Sequence, residues 1–301
     1  MEQFHALKEE LKACGCIWKE EVSLKPYTTL HIGGNARLLV EPSTIQEIQH
    51  ILRAAQKTQV PYVILGNGSN ILITDHGFSG LVIVLSKNYC NMTLESDTRI
   101  RSEAGANIMD VCMFAWQHSL TNLEFAYGIP GTCGGTCFMN AGAYGGEVGD
   151  AIVECTVLNE YGNIEIIRKD DLKFSYRHSA FIQRNVCILE VVYQLEKGDA
   201  KQIKQRMDDL LKRRQEKQPL QHYSAGSTFK RPMGNYASAL INECGLKGYT
   251  YGDAMVSTKH AGFLINKGNA TSKEFLTLIE HVQKIVYEKT GYELECEIKI
   301  I

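Results

Sequence analysis

The sequence lacks the features that mark several common classes of protein. Its 34 acidic and 32 basic residues are dispersed, with a formal net charge of −2, so there is no one-sided basic field that would attract nucleic acid. No apolar stretch is long enough to span a bilayer, and the N-terminal segment alternates charged and apolar residues, unlike a signal peptide. We therefore expect a cytoplasmic protein with no nucleic-acid or membrane partner.

Cysteine is present, but without the spacing of a disulfide framework or a metal site. The ten cysteines are scattered and none forms a Cys-x-x-Cys pair, so free thiols are expected. Cys133 and Cys137 lie inside a glycine-rich run, where a redox pair is conceivable but buried thiols are more common. The nine histidines form no His-x-x-x-His pattern with a carboxylate, and we predict no metal.

The local patterns predict several helices and strands in a chain long enough for two or three packed units. Capping boxes at Thr44 and Thr271 predict helices that run to Lys57 and about Lys289. Further predicted elements are helices over 108–119 and 201–217, strands over 60–65, 81–85 and 294–301, and a hairpin joining 154–159 to 163–168. A turn-prone stretch over 219–226 predicts a nearby domain boundary.

Two glycine-rich segments, 66–70 and 128–146, would allow the backbone to approach a ligand. Seven of the nineteen residues in the second segment are glycine, which is costly to order, and successive N–H groups there can converge on the pyrophosphate of a dinucleotide. A tight structural connection is the alternative, above all for the first segment. Neither matches Gly-x-Gly-x-x-Gly or a P-loop, so a flavin held by another fold fits better.

Six ordered motifs resemble the family of UDP-N-acetylenolpyruvoylglucosamine reductases, flavoenzymes of peptidoglycan synthesis. The motifs are Thr28–Gly34, Leu65–Leu72, Gly128–Thr132 with Asn140–Gly145, Tyr176–Ser179, Gly226–Lys230 and Glu295–Ile301. The resemblance implies an α+β fold, in which two α+β units hold FAD in the vanillyl-alcohol-oxidase manner and a third binds substrate. The expected boundaries are 1–85, 86–212 and 213–297, with the strand 298–301 as a candidate to return to the first unit.

The resemblance also implies an activity, namely reduction of the enolpyruvyl ether of UDP-N-acetylglucosamine enolpyruvate by NADPH through FAD. Arg177 is expected to stabilise charge that develops on the substrate carboxylate, Ser227 to protonate the adjacent carbon, and Glu297 to orient or polarise the carboxylate. Glu297 should be protonated or share a proton there, because two carboxylates would repel each other. Without the motifs, the three residues would suit a surface ion pair, a turn and a solvent-facing strand.

The matching positions also imply ligand contacts. The cofactor-binding candidates are Gly66, Asn67, Gly68, Ser69, Asn70, Ile129, Pro130, Gly131, Thr132, Gly134, Gly135, Thr136, Asn140, Gly142, Ala143 and Arg214. The substrate-binding candidates are Tyr176, Lys217, Arg231 and His260. A charged helix face would explain Lys217 equally well, and Arg231 stands where some members carry Asn. The short path from Tyr176 to Ser227 is typical of the branch without an extra substrate-covering loop, and we expect a monomer.

Two other functions are compatible with the residues alone. An oxidase of the same flavin-binding architecture would carry covalently attached flavin, for which His31 and Cys133 are candidates. A non-catalytic nucleotide-binding protein would leave Arg177, Ser227 and Glu297 unconstrained. Release of FAD on denaturation separates the reductase from the oxidase, and replacement of Ser227 separates the enzyme from the binding protein.

Overall fold

The structure, a computed structural model, describes residues 2–301. In this part of the chain the α-helices are α1 Glu2–Ala13, α2 Ile45–Lys57, α3 Ile108–Gln117, α4 Cys133–Phe138, α5 Val148–Ala151, α6 Lys169–Leu172, α7 Ala200–Lys217, α8 Ala237–Glu243 and α9 Ser272–Thr290. The strands are β1 Trp18–Ser23, β2 Asn35–Val40, β3 Tyr62–Leu65, β4 Ile71–Leu72, β5 Phe78–Val84, β6 Met92–Ser96, β7 Arg99–Glu103, β8 Leu120–Thr121, β9 Gly142–Ala143, β10 Gly146–Glu147, β11 Ile152–Leu158, β12 Ile164–Arg168, β13 Cys187–Gln194, β14 Glu196–Lys197, β15 Tyr223–Ser224, β16 Thr250–Tyr251, β17 Ala254–Val256, β18 Leu264–Asn266 and β19 Lys299–Ile300.

The chain divides into two compact units. The first comprises the chain up to Glu20, Leu38–Asn67 and Gly80–Arg213. It contains most of a four-stranded sheet in the order β1-β2-β5-β3 and the whole of a five-stranded antiparallel sheet in the order β12-β11-β13-β7-β6. Helix α4 packs against β13 of the larger sheet, and the core of this unit is formed by buried aliphatic, cysteine and aromatic side chains. The middle of the glycine-rich run, which forms α4, therefore lies against the larger sheet.

The second unit comprises Glu21–Arg37, Gly68–Ser79 and Arg214–Ile301. Its four-stranded antiparallel sheet has the order β15-β18-β17-β16, and α9 packs against β16, β17 and α8. The apolar face of α9 supplies Phe275, Leu278, Ile279 and Val282 to a core separate from that of the first unit. The longest segment of this unit starts within α7, at Arg214.

Most of the predicted elements are confirmed, with ends displaced by a few residues. The capping box at Thr271 is complete, since Thr271 and Glu274 each accept the other's backbone N–H. At α2 only half of the box forms: Thr44 accepts the N–H of Glu47, but the Glu47 carboxylate accepts from Ser43. The N–H and hydroxyl of Ser43 therefore take the carboxylate that a complete capping box would offer to the N–H of Thr44.

The predicted C-terminal strand over 294–301 is wrong in extent. Only Lys299–Ile300 forms a strand, which pairs in parallel with Ile71–Leu72. Upstream, Cys296 makes a single bridge with Phe229. The segment is extended, but it changes partners along its length, so no continuous ladder forms.

Thr271→Ala should lower the free energy of unfolding by about 1 kcal/mol, the usual cost of losing an N-cap. The hydroxyl that accepts the N–H of Glu274 at 3.1 Å would be gone. Denaturant unfolding followed by circular dichroism measures this change. Thr277→Ala removes the same atoms from the middle of α9 and is the control, with stability unchanged or slightly higher because Ala favours helix. Equal losses in both variants would contradict the cap's role.

Candidate active site

The two glycine-rich segments meet in the first unit. A Cβ on Gly66 would lie 2.2 Å from Oγ1 of Thr132, so only glycine permits this approach. The side-chain amide of Asn67 donates to the carbonyl oxygen of Pro130 at 3.2 Å. Within residues 2–301, the backbone N–H groups of Asn67, Gly131 and Thr132 donate no hydrogen bond. Three donors therefore remain at this junction, which suits an anion such as a pyrophosphate.

The N–H groups just beyond the junction are used within the protein. Those of Cys133 and Gly134 donate to the carbonyls of Ala106 and Ala104 at 2.7 and 2.8 Å. The N–H of Gly135 donates to the hydroxyl of the preceding N-cap threonine at 3.2 Å. Donors for a ligand thus come from the residues before α4 rather than from its first turn.

Gly68 and Asn70 belong to the second unit. Gly68 has a φ of +58°, and a Cβ there would lie 2.2 Å from the carbonyl oxygen of Tyr27. Asn70 is bonded to the C-terminal segment: its side-chain amide donates to the Glu297 carbonyl at 3.2 Å, and its own carbonyl accepts from Lys299 at 2.9 Å. Ser69, between them, is half-buried. This end of the first glycine segment fixes the backbone that carries Glu297.

Thr228 connects the segments that carry two of the predicted catalytic residues. It is 1% exposed; its carbonyl accepts the N–H of Glu297 at 2.8 Å, and its own N–H donates to Gly262 at 2.9 Å. Its hydroxyl accepts the N–H of Leu264 at 3.2 Å. Since Ser227 precedes Thr228, the backbones of Ser227 and Glu297 lie side by side in the second unit.

Arg177 lies at the tip of a tight turn in the first unit. Ser175 and His178 exchange two backbone hydrogen bonds of 3.1 and 3.0 Å, and Arg177 between them has a left-handed φ of +52°. The guanidinium carbon lies 5.0 Å from the ring centroid of Tyr176, and Nη2 donates to the Gly142 carbonyl at 3.3 Å. The predicted catalytic arginine and the predicted substrate-contacting tyrosine are therefore neighbours.

Asn140 lies beneath this turn and is 1% exposed. Its amide nitrogen donates to the Glu147 carboxylate at 2.7 Å and to the Ser175 carbonyl at 2.9 Å. Its amide oxygen accepts the N–H of Gly149 at 2.9 Å.

The other cofactor candidates of the first unit are also placed by contacts within the protein. Thr136 is buried and its hydroxyl donates to the Cys133 carbonyl at 2.9 Å. Gly142 and Ala143 pair with β10. Ile129 is half-buried.

The remaining candidates lie in the second unit. Arg214 and Lys217 occupy the last turn of α7, where Lys217 is exposed, and the Arg231 guanidinium lies 4.5 Å above the ring of Tyr236. Burial lowers the pKa of His260, and its Nδ1 faces the N–H of Gly262 at 3.2 Å. A neutral imidazole accepts this bond through Nδ1, which leaves the proton on Nε2.

The candidates for covalent flavin attachment, Cys133 and His31, and the possible redox pair Cys133–Cys137 are all packed against other side chains. Burial raises the pKa of the Cys133 thiol to about 12, and its Sγ lies 3.1 Å from the Tyr193 hydroxyl. Cys137 faces Cys155 at 3.4 Å rather than Cys133, so the sequence-based possibility of a Cys133–Cys137 pair is not what the structure forms. His31 stacks on Tyr223 with ring centroids 3.9 Å apart.

Residues 2–301 also lack the side-chain groups of a metal site and the helices of a membrane span. No group of three or more histidine, cysteine, aspartate or glutamate residues is placed to hold a metal ion. Over the same residues, every helix is too short or too polar to traverse a membrane.

Comparison of this chain with known proteins identifies its family. The FAD binding domain model matches residues 36–168, and the C-terminal domain model of UDP-N-acetylenolpyruvoylglucosamine reductase matches residues 218–301. The reductase of Caldanaerobacter subterraneus is 46% identical over 98% of this chain and 96% of its own length. This chain belongs to the UDP-N-acetylenolpyruvoylglucosamine reductase family. The reductase of Listeria welshimeri is 44% identical over 92% of this chain and 93% of its own.

A solved family member has the same fold. The crystal structure of the UDP-N-acetylenolpyruvylglucosamine reductase from Thermus caldophilus covers 95% of this chain and 98% of its own, with a TM-score of 0.81 and 33% identity. Together with the FAD binding domain match, this likeness confirms the predicted family and the α+β FAD-binding fold. The motifs gave no signal for the role of Thr228, whose three bonds depend on residues distant in sequence.

Thr228→Val should lower the free energy of unfolding by about 1–3 kcal/mol, because the buried N–H of Leu264 loses its acceptor while the side-chain shape is kept. Urea unfolding measures the change. The control is Thr58→Val: the Thr58 hydroxyl donates to the Ala54 carbonyl, which also accepts a backbone N–H, so little should be lost. Similar stability of both variants would contradict a stabilising role for the bond between Leu264 and the Thr228 hydroxyl.

Proposed function

We propose that this chain reduces the enolpyruvyl ether of UDP-N-acetylglucosamine enolpyruvate to UDP-N-acetylmuramate in peptidoglycan biosynthesis, as an oxidoreductase that uses FAD and NADPH. The observation that carries the proposal is the 46% identity, over 98% of the chain, to a UDP-N-acetylenolpyruvoylglucosamine reductase. The free N–H groups of Asn67, Gly131 and Thr132 fit the same conclusion, because a dinucleotide cofactor brings an anionic pyrophosphate.

The residues at the junction of the glycine-rich segments would hold FAD. Its pyrophosphate would take the three available N–H groups, while the close contact of Gly66 with Thr132 keeps the two segments together. When bound, FAD supplies hydride derived from NADPH to the terminal carbon of the enolpyruvyl double bond. The buried Cys133 and the stacked His31 do not favour covalent attachment, so the cofactor should dissociate on denaturation.

Arg177 would stabilise the charge that appears on the substrate as the carbon–hydrogen bond forms. Electron density then moves from the double bond toward the substrate carboxylate, giving an enolate-like state. A guanidinium presents planar donors to a carboxylate, and its stabilisation grows with the developing charge, so it lowers the barrier. The turn that holds Arg177 and its contact with Gly142 restrict the orientation of this group.

Ser227 would complete the reduction by donating a proton to the carbon adjacent to the carboxylate. A hydroxyl is a weak acid in water, but an enolate carbon is a strong base, and a positioned donor suffices. Glu297 would orient or polarise the carboxylate and, to avoid repulsion between two anions, would carry or share a proton. The backbone bond from Glu297 to Thr228 holds these two residues in one arrangement.

The proposal also covers the domain organisation, the cellular location, the oligomeric state and the binding partners of the protein. We place FAD-binding units at 1–85 and 86–212 and a substrate-binding unit at 213–297, in a cytoplasmic monomer that binds neither nucleic acid nor membranes. Tyr176, Lys217, Arg231 and His260 would contact the substrate. Substrate protection of these segments from hydrogen exchange, and size-exclusion chromatography of the purified protein, test these assignments.

Ser227→Ala should slow the oxidation of reduced flavin by the enolpyruvyl sugar nucleotide by at least about 100-fold, the scale of a lost proton donor, while reduction by NADPH is little changed. Anaerobic stopped-flow absorbance follows both half-reactions. Ser224→Ala, in the same segment, is the control and should behave as the wild type. Wild-type flavin that bleaches with NADPH but is not reoxidised by the sugar nucleotide would refute the reductase function. Flavin that stays attached after denaturation would favour the oxidase.

Glu297→Gln distinguishes proton transfer from hydrogen bonding, because Gln keeps the size and a donor but cannot release a proton. If Glu297 carries or shares a proton during turnover, the variant should retain normal FAD content and lose most of its turnover. The control is Glu295→Gln, which removes an exposed carboxylate that pairs with Lys230. Turnover close to that of the wild type in Glu297→Gln would leave Glu297 with a purely hydrogen-bonding role.

A further inference from the structure

We propose that Asn140 is a positioning residue that holds the Arg177 turn in its catalytic geometry, rather than a residue that contacts the cofactor. The inference rests on the proposed function in one respect, namely that Arg177 acts on the substrate. It assigns a role that the sequence motifs did not reveal.

Both protons of the Asn140 amide nitrogen, and one lone pair of its amide oxygen, are already bonded within the protein. Both protons of its amide nitrogen are donated, one to Glu147 and one to Ser175, and its oxygen accepts from Gly149. The residue is 1% exposed. Donation from this amide nitrogen to a cofactor would require breaking a bond already made in a buried position, which is unfavourable.

The bond to Ser175 links Asn140 directly to the base of the catalytic turn. Ser175 and His178 close this turn by two backbone hydrogen bonds, so the carbonyl that Asn140 holds belongs to the closing pair. The tip is attached to the same run, because Arg177 Nη2 donates to the carbonyl of Gly142. The base and the tip of the Arg177 turn are therefore both bonded to the segment 140–142.

The surroundings of Asn140 leave little room for another arrangement. Its φ of +43° is left-handed, a conformation that asparagine tolerates better than most residues. A Cβ on Gly149 would lie 2.7 Å from the Asn140 amide oxygen and from the ring of Phe174.

The turn itself needs support from its surroundings. Arg177 has a left-handed backbone conformation, which persists only where neighbouring groups hold it. A second buried bond, from the Ser179 hydroxyl to the Phe138 carbonyl at 2.6 Å, holds the other side of the turn.

Asn140→Asp tests the role with almost no change in shape. The new carboxylate would face the Ser175 carbonyl and the Glu147 carboxylate, where the amide donated. Reoxidation of reduced flavin by the enolpyruvyl sugar nucleotide should slow by at least about 10-fold, since small displacements of a catalytic group are costly. Flavin reduction by NADPH should change less than about 2-fold, and FAD content should match the wild type.

Two further variants make the result specific. Asn159→Asp is the matched control, because the Asn159 side chain likewise bonds two backbone groups and a glutamate, here the N–H groups of Tyr161 and Asn163 and the carboxylate of Glu165 in the β11–β12 hairpin; it should leave both half-reactions unchanged. In an Arg177→Ala background, Asn140→Asp should add little further loss, since a residue that acts through Arg177 is coupled to it.

Three results would overturn the inference: normal reoxidation in Asn140→Asp, an equal loss in both half-reactions, or additive losses with Arg177→Ala. Should Asn140→Asp not yield folded protein with FAD, Ser179→Ala tests the same turn through its other bond, and the absence of a selective effect on reoxidation there would equally overturn it. A wild-type protein that the sugar nucleotide does not reoxidise would instead refute the proposed function, before any variant is compared.

Discussion

Backbone N–H groups that are shielded from water need acceptors, and this requirement governs the glycine-rich run on which the site depends. The N–H groups of Cys133, Gly134 and Gly135 bond to carbonyls or to the N-cap hydroxyl, which leaves the preceding residues as donors for an anion. Glycine alone makes this arrangement possible at position 66, where a Cβ would overlap the Thr132 hydroxyl. The composition of the run therefore reflects protein packing as much as ligand approach.

The same requirement shapes the parts that carry the proposed catalytic side chains. The turn of Arg177 is held by a buried amide, and the segments of Ser227 and Glu297 are joined through Thr228. In both places the backbone is anchored by a different residue from the one that carries the proposed catalytic side chain: Asn140 anchors the Arg177 turn, and Thr228 anchors the segments of Ser227 and Glu297. Separating these tasks is physically sensible, because a group that must bind and release a ligand cannot also be fully committed to internal bonds.

Sequence patterns predicted most of the secondary structure, because the decisive interactions there are local. The Thr271 cap and its glutamate lie one turn apart, and the hairpin around Tyr161–Gly162 needs only a turn and two alternating strands. The C-terminal strand was predicted too long because its partners change from Phe229 to Ile71 along the segment, and no local pattern encodes that change. Likewise, the motifs identified Arg177, Ser227 and Glu297 as candidates, but no local pattern predicted the three bonds of the Asn140 side chain, whose partners lie 7, 9 and 35 residues away.

The buried thiols bear on how a flavin would coexist with this chain. Removing a thiolate from water is costly, so burial raises the pKa of both Cys133 and Cys187 to about 12. At neutral pH such thiols are almost entirely protonated, and it is the thiolate that attacks electrophiles or exchanges with disulfides. Cys133 is also fully buried and bonded toward Tyr193. A cysteine inside the glycine-rich run is therefore compatible with a dissociable redox cofactor, because the packing that places it there also keeps it protonated and out of reach.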